Sequence, residues 1–197
     1  MEFVVGKSTI LKELGFVQGV VDRKTTIPVL SYLLIEAKDG ELALRATDLD
    51  VSVTTSCEAS VKESGSLCIS AKKLFEIVRT LPDADLTFKC NLQDQAVITC
   101  ERSKFRMPWL SKENFPENQE FKGETVEIPA ELLRTFINRT AFAITNEESR
   151  YALNGARFEL SSDEMRLVAT DGHRLAYIAA KGDFKVSKTV SINSSAL

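Results

Sequence analysis

Leu44-Arg45-Ala46-Thr47-Asp48 returns as Leu167-Val168-Ala169-Thr170-Asp171, 123 residues farther along the chain. Around this stretch the same register holds without a gap. Leu30 falls on Leu153, Glu36 on Glu159 and Glu41 on Glu164; beyond it, Lys62 falls on Lys185, Ser64 on Ser187, Ile69 on Ile192 and Leu74 on Leu197. A repeat of this length is a duplicated domain and not a short solenoid unit. Residues 1–122 are expected to form a complete first domain. Residues 123–197 are expected to form a second, partial copy, since the first copy is only entering a helix at Leu74, where the second has reached Leu197.

Working outward, Phe3-Val4-Val5 reads as a strand and Ser8 as the cap of a helix. Ile10, Leu11, Leu14, Val17 and Val21 give that helix one apolar face. A polar loop over 22–28 leads to a strand over 29–37, a turn at Lys38-Asp39-Gly40 and a returning strand over 41–47. Leu42, Leu44 and Ala46 alternate with polar neighbours, as a half-buried antiparallel strand requires. A third strand is expected over 48–57. The order then restarts: a strand at 67–69, a helix over 70–80 with Leu74, Ile77, Val78 and Leu81 inward, and strands near 86–90, 96–100 and 105–110. Residues 111–123 are a polar linker. Val126 to Ile128 opens the second domain, and Pro129 starts a helix whose apolar face is Leu132, Leu133, Phe136 and Ile137. The expected class is α+β, each domain a duplicated strand–helix–three-strand unit with helices on one face of antiparallel sheets.

Lys and Arg number 25 against 28 Asp and Glu, a net charge of -3. That excludes a uniformly basic nucleic-acid binder but allows basic residues gathered on one face. The start, Met1-Glu2-Phe3-Val4-Val5, lacks the basic region and apolar stretch of a secretory signal. No apolar run is long enough to span a bilayer. Cys57, Cys68, Cys90 and Cys100 lack C-x-x-C spacing and the only histidine is His173, so no metal site or cofactor is expected. The cysteines read as small core residues in a reducing cytoplasm. A catalytic reading would pair Asp171 and His173 with Ser161 or Ser162, but no nucleophile-elbow glycine pattern supports it. Nor is there a Walker-type phosphate loop.

The nested repeat and several separated motifs resemble the family of bacterial DNA polymerase III beta subunits, the replicative sliding clamps, over the whole chain. The motifs are Arg150-Tyr151-Ala152-Leu153-Asn154-Gly155, Val168-Ala169-Thr170-Asp171-Gly172-His173-Arg174-Leu175-Ala176, Thr26-Ile27-Pro28-Val29-Leu30 and Ala46-Thr47-Asp48-Leu49. The resemblance implies a DNA-clamp fold. Members have three such domains and associate head to tail as a dimeric ring, with helices lining the hole. The third domain is absent here, so this chain alone is expected not to close a ring. The implied protein is cytoplasmic and non-catalytic. Its implied partners are duplex DNA, bound without sequence preference, and the polymerase III catalytic subunit, the clamp loader and other polymerases or repair proteins, through short peptide motifs.

Lys72, Lys73 and Arg79 on one helix, and Arg134 and Arg139 on another, would read in isolation as solvated faces. The resemblance turns them toward DNA phosphates, where positive charge without base readout suits a protein that slides. Arg23, Lys24, Arg150 and Tyr151 lie on loops from which family members contact DNA. Ala152 replaces the second of two adjacent tyrosines, and Glu147 places a carboxylate where an amide side chain contacts DNA. Tyr151 also fits a cross-strand packing role.

The shared Thr-Asp of the two copies must serve the fold, as turn hydrogen bonding. What differs afterwards, Gly172-His173-Arg174-Leu175, is where a special function would lie. By the resemblance, Leu153 and Leu175 give the apolar floor and Thr170, Gly172, His173 and Arg174 the rim of one wall of a peptide groove. The alternatives are a clamp-like peptide-binding adaptor that never encircles DNA and, less favoured, a hydrolase using His173.

Overall fold

The computed structural model describes residues 1–21, 27–90, 95–117, 123, 125–145 and 147–197; at 148, 149 and 151 it describes the backbone alone. The chain divides into two compact units, Met1–Gln119 and Glu120–Leu197. In the first, strand β1 (Glu2–Gly6) leads into helix α1 (Lys7–Gln18). Strands β2 (Tyr32–Lys38), β3 (Glu41–Thr47), β4 (Ser52–Glu58), β5 (Ser60–Glu63) and β6 (Gly65–Ser70) follow. Helix α2 (Ala71–Thr80) then precedes β7 (Asp85–Cys90), β8 (Gln95–Cys100) and β9 (Ser103–Leu110). The second unit contains α3 (Ala130–Thr140), β10 (Gly155–Leu160), β11 (Glu164–Thr170), β12 (Leu175–Lys181) and β13 (Lys188–Asn193).

Among the described residues the first unit's strands form one sheet in the order β4-β3-β2-β6-β9-β8-β7-β1-β5. Its two halves meet at a narrow seam, where β6 and β9 pair only at Cys68 with Leu110 and Ile69 with Trp109. The second unit's order, β12-β11-β10-β13, repeats β4-β3-β2-β6. The repeat holds to the residue. Leu34 faces Arg45 as Arg157 faces Val168, Glu41 faces Glu58 as Glu164 faces Lys181, and Tyr32 faces Ser70 as Gly155 faces Asn193.

Apolar periodicity explains which face each element buries. On α2, Ala71, Leu74 and Val78 are buried, while Lys72, Lys73, Glu76 and Arg79 are exposed. Helix α1 buries Ile10, Leu14 and Val17 against the same core, which also takes Leu33, Ile35, Leu42, Leu44, Phe88 and Ile98. A separate core in the second unit gathers Phe136 of α3 with Phe158, Met165, Leu167 and Ala176. Each unit therefore holds itself together by its own apolar burial, about 25 cal/mol per Å² removed from water.

Local details differ from the sequence reading; the third strand starts at Ser52 and not at 48, because residues 48–51 form a turn closed on Asp48. Helix α1 starts at Lys7 behind Gly6, not behind Ser8, because the Lys7 N–H already donates to the Ala84 carbonyl at 3.1 Å. Residues 28–31 form a short 3-10 turn, not the start of a strand. Pro28 supplies the helical φ there, and the Leu30 N–H donates to the Ile27 carbonyl. Strand β5 is an addition, pairing with β1. Finally, residues 125–129 do not form a counterpart of β1. In the first unit that strand lies between β5 and β7, and among the described residues the second unit offers no such pair.

Candidate partner-docking turn and basic helix faces

Residues 47–52 and 170–175 turn between equivalent strands and are built by the same hydrogen bonds. Thr47 Oγ1 donates to the Val51 carbonyl (3.0 Å) and accepts from the Leu49 N–H (3.0 Å). Thr170 Oγ1 donates to the Arg174 carbonyl (2.7 Å) and accepts from the Gly172 N–H (3.1 Å). Asp48 Oδ1 accepts from the N–H groups of Asp50 and Val51, as Asp171 Oδ1 does from those of His173 and Arg174. Even the left-handed residue is shared: Leu49 has φ +81° and Gly172 φ +86°. The Thr-Asp pair is thus a side-chain scaffold for a tight turn.

The residues hung on that scaffold differ. In the second unit the Arg174 Nε donates to Asp171 Oδ2 (2.9 Å), its Nη2 donates to the Phe142 carbonyl (2.6 Å), and its guanidinium lies 5.3 Å from the Phe142 ring centroid. The N–H groups of His173 and Arg174, with the Arg174 guanidinium, hold the Asp171 carboxyl down to about 2. Leu175 is 67% exposed, and Tyr177, two residues on along the same face of β12, is 57% exposed. Leu153 is half-buried, His173 is exposed, and Thr170 and Gly172 form the inner edge and the corner of the turn. Phe142, 57% exposed and held beneath Arg174, is absent from the sequence reading, as is Tyr177. Only the paired outward spacing of Leu175 and Tyr177 on a strand could have pointed to the latter.

Arg150 reaches the same turn from the preceding loop. Its Nη1 donates to the Asp171 carbonyl (2.9 Å), and its Nε lies 3.2 Å from Glu147 Oε2. Arg23 and Lys24 lie outside the described residues, as does the side chain of Tyr151.

Lys72, Lys73 and Arg79 are exposed on α2, and Arg134 and Arg139 on α3. Arg79 stacks over Phe75 at 5.9 Å, and Arg134 forms an ion pair with Glu131 one turn away. Among the described residues, Lys72, Lys73 and Arg139 form no intramolecular ion pair, which leaves their charge available to an outside anion. Each helix thus presents a basic face opposite its buried one.

A catalytic arrangement does not assemble around His173. Both carboxylate oxygens of Asp171 are spent on the turn and Arg174, and the Ser161 hydroxyl donates to Asp163 Oδ1 (3.0 Å) and the Glu164 carbonyl (3.1 Å). Burial pushes the thiols of Cys57, Cys68 and Cys90 up to about 11, away from the thiolate form that attacks.

A family model described as the DNA polymerase III beta subunit, N-terminal domain, matches residues 1–119, and one described as its central domain matches residues 127–192. The chain is 38% identical over 182 residues to the Beta sliding clamp of Chlamydia pneumoniae, covering 92% of this chain and 50% of that protein. It is 37% identical over 181 residues to that of Haemophilus influenzae, covering 89% and 49%. The crystal structure of the beta sliding clamp of C. crescentus superposes with a TM-score of 0.91 at 34% identity, covering 100% of this chain and 55% of that one. The DNA polymerase sliding clamp of Bacillus subtilis gives 0.92 at 27%, covering 99% and 54%. The chain spans about half the length of the curated relatives it matches.

Proposed function

Because the chain belongs to the DNA polymerase III beta subunit family, we propose that it forms part of a processivity factor that encircles duplex DNA and tethers the replicative polymerase. The observation that carries this reading is the match of both units, in order, to two successive domains of that family. Residues 1–122 act as the first clamp domain and residues 123–197 as part of the second. In the full-length protein, two copies close head to tail into a ring in the cytoplasm, and a third domain supplies the complementary surface. The protein performs no chemistry and needs no cofactor.

In this reading the exposed bases of α2 and α3, with Arg23, Lys24, Arg150 and Tyr151 on the loops, meet phosphates. They do so without reading bases, so the ring slides. The turn at 170–175, with Leu153 and Leu175 as apolar floor and Thr170, Gly172, His173 and Arg174 as rim, takes one side of a short peptide from the polymerase catalytic subunit, the clamp loader or repair proteins. Burying one bulky side chain there is worth roughly 1.5–3 kcal/mol, so a single peptide binds modestly.

Two measurements on the full-length protein test this. Charge reversal at Lys24, Lys72 and Lys73 should weaken DNA binding uniformly across sequences and flatten its dependence on log salt by about one unit per lost contact. Unchanged affinity at low salt would remove these lysines from the contact surface. Leu175→Asp should abolish binding of a fluorescently labelled polymerase C-terminal peptide in an anisotropy titration while leaving DNA binding intact.

A further inference from the structure

Positions 150 and 172 differ together between the two copies. The 123-residue register puts Ile27 where Arg150 stands and Leu49 where Gly172 stands. The corner at 172 is left-handed and favours glycine, yet Leu49 shows that the frame tolerates a side chain at the equivalent corner at a cost in strain. Glycine here also leaves room for a guanidinium. A Cβ on residue 172 would lie 2.9 Å from Arg150 Nη1, the atom that donates to the Asp171 carbonyl. The isoleucine of the first unit carries no side-chain donor, and there a leucine fits.

We infer that Arg150 is a positioning residue for the docking turn, locking residues 170–175 in the shape that a partner peptide meets; this rests on the reading of that turn as a peptide site. Asp171 is then held from both sides. Its carboxylate binds the N–H groups of His173 and Arg174, and its carbonyl is bound by Arg150. Glu147 holds the other side of the guanidinium, at Nε, and so fixes the direction from which it approaches. Arg150 therefore serves the turn first, with two of its donor nitrogens committed within the chain. Its loop and the peptide wall move as one piece.

Amide hydrogen exchange of the 197-residue chain, read by NMR, tests the assignment without any partner. Arg150→Ala should speed exchange at Gly172, His173 and Arg174 about tenfold, the loss of one charge-assisted hydrogen bond, while the amides of Leu167 and Phe158 keep their rates. Gly172→Ala should speed it through left-handed strain in either background, and more so where Arg150 is present and its guanidinium is crowded. In the full-length protein, Arg150→Ala should weaken the labelled polymerase C-terminal peptide about tenfold. Unchanged exchange at 172–174 in Arg150→Ala would overturn the assignment. Wild-type peptide affinity in Leu175→Asp would instead sink the docking reading, leaving the exchange results to judge Arg150 alone.

Discussion

The turns at 47–52 and 170–175 share a path and differ in what they present. Both are tied by a threonine hydroxyl and an aspartate carboxylate, and both pass through a left-handed corner. One then shows Asp50, Val51 and Ser52, the other His173, Arg174 and the exposed Leu175. The same contrast runs through the cores. Glu13, only 8% exposed on α1, accepts a hydrogen bond from Thr55 of β4, whereas the second unit places Phe136 and Ile178 at these positions. The lesson is that the short-range polar bonds of a duplicated frame are kept, while the positions which those bonds leave free diverge into separate roles.

The largest expected effect asks whether the two cores are independent. Leu44→Ala and Leu167→Ala both empty fully buried, equivalent sites. Each should cost about 2–5 kcal/mol in urea unfolding, confined to its own unit. A Leu167→Ala variant as stable as its parent would break the equivalence. Next, Thr55→Val should cost about 1–3 kcal/mol by stripping the buried Glu13 carboxylate of its hydroxyl donor. Adding Glu13→Met, which makes the site apolar as in the second unit, should recover most of that in the same unfolding assay.

The repeat register placed nearly every strand because antiparallel pairing is fixed by alternation and by turns, both local signals. The Thr-Asp turn was legible for the same reason: all its bonds span five residues or fewer. Strand β5 was not, since nothing in Ala59-Ser60-Val61 marks a break from β4 and its partner β1 lies more than 50 residues earlier in the chain. Phe142 was missed because its place in the site depends on Arg174 reaching back to it from 32 residues on. The tie between Arg150 and Asp171 likewise joins residues far apart in sequence, and no spacing rule predicts it.

Two smaller tests sharpen the turn comparison. Leu49→Gly should stabilise the first unit by about 0.5–1 kcal/mol in thermal unfolding, as relief of left-handed strain outweighs glycine's extra chain entropy. The last effect is local and depends on pH. The Asp171 carboxyl sits below its ordinary 3.8, at about 2, so the charged form is the one the turn binds. The tightening it confers is complete above about 4 and is lost as pH falls toward 2. Protection of the His173 and Arg174 amides, taken relative to the intrinsic exchange rate at each pH, should fall over that window, and Asp171→Asn should abolish this loss.

The sheet order of the first unit also sets when it can form. Strand β1 opens the chain, yet its neighbours are β5 and β7, so Glu2 must find both Glu63 and Lys89. During synthesis the first strand waits for β5, made about 55 residues later, and one of its edges stays open until residues 85–90 have left the ribosome. The β10-β11-β12 meander closes through short turns between consecutive strands. Distant pairings are reached slowly and adjacent ones fast. The second unit, though made after the first, should therefore acquire its sheet in fewer steps, and the open edge of β1 awaiting β7 is the place where a nascent chain is most open to wrong partners.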